Sequence, residues 1–163
     1  MLTLVSTRFN NETFQENMNY REKKCIGCIY CSPQTMSPKI PIGSLVFVVE
    51  MNNTMNQIEG IGLIKNLYEP TNYNVYETRN FNRYIFKGDY RIGRDELLRN
   101  HSKLVEIFDL ILFKGKTHLK RGAGFTRIPD KLLKNPICEN RNILKWIQQI
   151  FVEKLSLLQI QEK

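Results

Sequence analysis

The chain has 163 residues, 42% of them hydrophobic, and carries 24 Lys and Arg against 16 Asp and Glu for a formal net charge of +8. That length and composition predict one folded domain over 1–163 and exclude a disordered tail, while no apolar run approaches the roughly 18 residues of a transmembrane helix. The opening MLTLVSTRFNNETF lacks the basic and long apolar regions of a signal peptide, so an intracellular, cytoplasmic or nuclear protein is expected, and the excess of positive charge points to nucleic acid rather than a membrane as partner.

Residues 2–7 read as a short strand. Residues 10–21, NNETFQENMNYR, place Phe14, Met18 and Tyr20 at helical spacing and predict a short helix lying on a barrel. Residues 37–42 carry two prolines and are extended connection. Residues 40–65, IPIGSLVFVVEMNNTMNQIEGIGLIK, are the stretch around which the rest is organised. Within it, 45–50 and 58–65 are two strands joined by a polar turn. The first run is too apolar to be half-solvated, so it is expected to be buried on both faces. Gly60 and Gly62 fall on one face of the second strand and predict a bulge, a sharp bend or a close approach. A small closed or nearly closed β-barrel is the simplest object needing such a pair.

Residues 67–78 form a loop holding Tyr68, Tyr73 and Tyr76. Residues 83–92 alternate, with Tyr84, Phe86, Tyr90 and Ile92 on one face and Arg83, Lys87, Asp89 and Arg91 on the other, which predicts a strand with a turn or bulge at 87–89. Residues 95–108 read as a helix with Asp95 at its N-cap, and 110–113 as another strand or a continuation of the helix. Residues 114–127, KGKTHLKRGAGFTR, hold five Lys or Arg and no acid, with a turn at Gly122 and Gly124. Residues 129–133 make one helical turn. Residues 140–160 form the clearest helix, with Asn140 as N-cap and a stripe of Ile143, Ile147, Ile150, Phe151, Leu155 and Leu158.

With strand, helix and a glycine-marked central strand pair in place, the sequence resembles the PUA-like superfamily, which includes the ASCH, EVE and YTH domains. IPIGSLVFVV looks like the strand that opens the barrel wall, and IEGIGLIKN like the hydrophobic-G-x-G-x-hydrophobic strand that follows it. Glu16 and Arg21 of TFQENMNYR stand where ASCH domains carry the Glu and Arg of their signature, here without its Gly and Lys. The likeness covers residues 1–115. It implies an α+β fold, a small five- or six-stranded PUA-like barrel with flanking helices and a C-terminal helix. It also implies binding of RNA, or of a modified base in a pocket. The chain is similar, too, to uncharacterised proteins of large DNA viruses.

Within that frame the candidate nucleic-acid contacts are Lys114, Lys116, His118, Lys120, Arg121 and Arg127 on the basic loop, where cations and a glycine turn suit phosphate. Tyr73 and Tyr76, with Arg83 nearby, are candidate base contacts, because aromatics interleaved with Arg79, Arg83 and Arg91 stack bases. Tyr84, Phe86 and Ile92 are read as core. No cofactor is expected. Cys25, Cys28 and Cys31 form C-x2-C-x2-C; they are read as strand thiols without a metal, the alternative being zinc closed by Cys138, His118 or His101. The leading expectation is an RNA-binding module without catalysis. The alternatives are an ASCH-like ribonuclease using His118 and a viral structural or interaction protein with a protein partner.

Overall fold

The chain order is β1 (Leu2–Phe9), α1 (Asn11–Lys24), β2 (Cys28–Ser32), β3 (Leu45–Asn52), β4 (Gln57–Lys65), β5 (Tyr84–Gly88), β6 (Tyr90–Gly93), α2 (Arg94–Asn100), α3 (Ser102–Ile111), β7 (Thr126–Arg127), α4 (Asp130–Leu133) and α5 (Ile143–Gln161). These elements belong to a computed structural model that describes residues 2–69 and 74–161, the side chains of 158–161 excepted. The chain divides into two compact units, Met1–Ile128 and Pro129–Lys163.

In the first unit, five strands form one sheet in the order β6-β4-β3-β1-β7, and β2 pairs with β5 in a second sheet. The β1–β3 pair is parallel, with Leu2 opposite Leu45 and Phe9 opposite Asn52. A parallel pair needs a crossover, and α1 with β2 supplies it. The expected strands at 2–7, 45–50 and 58–65 are present and slightly longer. Every residue of β3 after Leu45 is buried, as its unbroken apolar run requires. The fold is thus α+β, but the five-stranded sheet is open rather than a closed barrel. Its last strand, β7, has two residues and pairs with β1 alone among the described strands.

The expected strand over 83–92 is two strands. The chain bends at Asp89 and changes partner, from β2 in the small sheet to β4 in the large one. Tyr84 and Phe86 therefore belong to a different sheet from Tyr90 and Ile92. Residues 95–108 are likewise two helices, broken at His101 (φ −144, ψ 50), and Gly93 rather than Asp95 is the N-cap. Asp95 sits in the first turn, where its charge suits the helix dipole. Of 110–113, where a strand or a continued helix was expected, the helix holds: Leu110 and Ile111 close α3, and 112–113 turn out of it. Leu104, Val105, Ile107, Phe108 and Ile111 form the buried face of α3, a helical period that the short apolar run hides.

Asn10 begins α1 through a capping box with Thr13. Cys25 ends it in the left-handed conformation (φ 55, ψ 46), which removes that cysteine from the strand expected around it. In the second unit Asn142, not Asn140, caps α5, its Oδ1 accepting from the Lys145 N–H at 3.0 Å. Ile143, Ile147, Ile150 and Phe151 are buried; the side chain of Leu158 lies outside the described residues. No helix among the described residues is long and apolar enough to cross a membrane.

Candidate functional site

The site begins with a charged group in the core. Gly62 of β4 lies so close to Tyr30 of β2 that a side chain there would collide with the phenol oxygen, which is the close approach its glycine signals. Tyr30 thereby reaches across and donates to Glu50 Oε2 of β3 at 2.6 Å. Arg91 of β6 grips the same carboxylate with two bonds, Nε to Oε2 at 2.8 Å and Nη2 to Oε1 at 2.6 Å. Burial raises the Glu50 carboxyl, but the charge and hydrogen bonds of Arg91, the Tyr30 hydroxyl and the charge of Arg21 together hold it below its ordinary value. Burial lowers Arg91, and Glu50 overcomes this and raises it. Arg21 of α1 donates Nε to Asn17 at 2.8 Å, while its Nη2 is buried with no acceptor among the described residues.

The Tyr30 ring is also one wall of a cavity of about 280 Å³. Phe9, Tyr76 and Phe81 supply the other rings, Arg8, Asn53 and Cys31 the polar edge, and Gly122, Ala123 and Gly124 one rim. Neighbouring rings meet edge-on: Tyr30 with Phe125 at 6.3 Å and Tyr76 with Phe81 at 6.3 Å. The Tyr76 hydroxyl accepts from Asn17 Nδ2 at 2.9 Å. Burial raises both phenols and pushes the Cys31 thiol up to about 12. Asn53 of the β3–β4 turn donates Nδ2 to the Lys120 carbonyl at 2.8 Å, yet its Oδ1 is buried and accepts nothing among the described residues.

Beside Asn53, Arg8 fastens the basic loop next to this cavity. Arg8 of β1 donates Nε to the Gly122 carbonyl at 3.2 Å, Nη1 to Leu119 at 3.3 Å and Nη2 to Gly124 at 2.7 Å. Burial lowers its pKa. Lys114, Lys116, Arg121 and Arg127 are exposed and Lys120 is half-buried, and none of the five is in an ion pair among the described residues. His118 accepts the Lys120 N–H on Nδ1 at 3.2 Å, which puts the proton of its neutral form on Nε2.

The remaining candidates separate. Tyr73 lies outside the described residues. Tyr76 is 6% exposed rather than on the surface, because its hydroxyl bonds into the core; Phe81, 40% exposed, presents the open ring of the cavity instead. Arg83 is exposed and lies over the Tyr84 ring at 5.4 Å, away from the cavity lining. Cys25 is exposed, Cys28 is buried, Cys31 lines the cavity and Cys138 belongs to the second unit. Three residues apart on one strand, Cys28 and Cys31 point to opposite faces, and no group of three metal-binding side chains gathers among the described residues. Sequence reading missed Arg8, Tyr30, Glu50 and Asn53. A cation and an acid inside otherwise apolar strands were the available signals for Arg8 and Glu50. No protein family, curated protein or solved structure matches the chain.

Proposed function

We propose that the first unit is a PUA-like module that binds single-stranded RNA, placing one base in the cavity and the flanking backbone along residues 114–127. The observation that carries this reading is adjacency. A cavity walled by Phe9, Tyr30, Tyr76 and Phe81 opens beside a loop with no acid and five cations that no ion pair among the described residues engages. Its volume of about 280 Å³ lies just under the roughly 300 Å³ at which sites for drug-sized ligands begin, which suits a single ring system. Rings stack on any base, and cations follow the backbone without reading it. Asn53 Oδ1, buried without a donor, is matched by a base amino or imino group. The strand path also supports the PUA-like reading: β5 turns through Asp89 into β6, so the chain leads from the small sheet into the large one and joins the two. RNA is favoured over DNA by that likeness.

Binding is favoured over strand cleavage for a chemical reason. General acid–base work needs a group near neutrality within reach. Among the described cavity residues the ionisable groups are Arg8, Tyr30, Cys31 and Tyr76, and the pKa of both phenols and the thiol is pushed upward. His118 stands on the loop outside the cavity lining. The test is fluorescence anisotropy with labelled single-stranded RNA, wild type against Phe81→Ala. Binding that weakens at least fivefold in the variant supports the reading. No binding by the wild type, or equal binding by the variant, overturns it.

A further inference from the structure

Resting on that reading, we infer that residues 121–125 are a main-chain phosphate site at the cavity rim, shaped by Arg8, so that the ligand is a nucleotide unit held by its phosphate as well as its base. The carbonyls of Leu119, Gly122 and Gly124 all point at the Arg8 guanidinium, and that of Lys120 points at Asn53 Nδ2. No cis peptide bond is present among the described residues. In a trans peptide the carbonyl of one residue and the N–H of the next point in opposite directions. The N–H groups of Arg121, Ala123 and Phe125 therefore face away from these donors. None of them donates to a protein acceptor among the described residues.

Gly122 (φ +111) and Gly124 (φ +70) hold the chain in conformations that residues with side chains rarely adopt. Free amides beside positive-φ glycines are the anion-binding arrangement of backbone nests. The charge nearby has the right sign. Arg8 spends its hydrogen bonds on neutral carbonyls and has no carboxylate partner among the described residues. Lys120 and Arg121 carry charges on the same segment that no ion pair among the described residues engages. The amides fix where a phosphate sits, and the cations raise its local concentration. Arg8 is a positioning residue here, because its fork sets the direction of the amides through the carbonyls.

The experiment is an amide NMR titration of the nitrogen-15-labelled chain with inorganic phosphate, chloride replacing it at equal ionic strength in the control. Saturable shifts of the Arg121, Ala123 and Phe125 amides are expected with phosphate and not with chloride. Lys120→Gln with Arg121→Gln should weaken the affinity but leave the same amides shifting. Arg8→Lys keeps the charge and loses the fork, and should raise the phosphate Kd about tenfold, the order of one charge-assisted hydrogen bond. Absence of the shifts in the wild type overturns the site, as does their loss in the Lys120/Arg121 variant or an unchanged Kd in Arg8→Lys. RNA carrying a 5′-phosphate, compared with its 5′-hydroxyl counterpart, separates a terminal phosphate from an internal phosphodiester as the source. Phosphate shifts without RNA affinity would keep this site and remove the RNA reading. RNA affinity sensitive to Phe81→Ala, without phosphate shifts, would do the reverse.

Discussion

Replacing Lys120 and Arg121 by Gln removes two of the five cations of residues 114–127. Each phosphate contact to a single strand contributes about 0.7 to the slope of log affinity against log salt. If all five cations contact phosphates, the wild-type slope is about −3.5, and the double variant should fall to about −2.1. Between 50 and 200 mM salt the wild type should then lose about a hundredfold in affinity and the variant about twentyfold. The effect should be the same for every sequence, since these contacts carry no base information. Folding should be untouched. Arg121 is exposed, and the Lys120 main-chain bonds to His118 and Asn53 survive the change. The assay is an anisotropy titration of single-stranded RNA at four salt concentrations, with Lys23→Gln and Lys24→Gln at the exposed end of α1 as the control pair. An unchanged slope in the loop variant, or an equal fall in the control, would refute the placement of the backbone on this loop.

Phe81→Ala should cost about 1–3 kcal/mol of RNA affinity if the ring stacks on a base, with the salt slope and the urea midpoint almost unmoved. Tyr76→Phe deletes the bond to Asn17, and urea unfolding should show a loss of about 1 kcal/mol with RNA affinity retained. Glu50→Ala leaves the half-buried Arg91 charge without its carboxylate partner and removes the buried acid facing Arg21, and a loss of about 3–5 kcal/mol should appear as unfolding or insolubility on expression. The folded-state pKa of Glu50 lies below its unfolded value, so its stabilisation is present above the unfolded carboxyl pKa of about 4.3 and is lost as pH falls through the folded value. Stability of wild type measured between pH 7 and pH 3 should show that acid loss.

The backbone of the fold was legible because its signals were local. The apolar run at 45–50, the glycine-marked run at 58–65 and the stripe on α5 each announce one element, and each is present. For residues 83–92 the expected turn at 87–89 is the bend at Asp89, but the change of partner there was not legible, because alternation has the same period in one strand as in two. The change of sheet at Asp89 depends on β2 and β4, which lie far off in sequence. The basic loop was visible from composition alone. Its shape was not, since it depends on Arg8, 114 residues away from the carbonyl of Gly122. Tyr76 and Phe81 show the same limit: both are aromatics in a polar stretch, and only the pairing of Tyr76 with Asn17 decides which is buried.

The central claim is that the cavity beside the basic loop takes an RNA base. Photocrosslinking tests it most directly, using single-stranded RNA with 4-thiouridine at one position and mass spectrometry of the adducts. The expected adducts fall on Phe81 and neighbouring lining residues such as Phe9 and Tyr30, and disappear when excess unlabelled RNA competes. Competable adducts confined to residues outside the cavity and the 114–127 loop, such as those of α5, would contradict the claim.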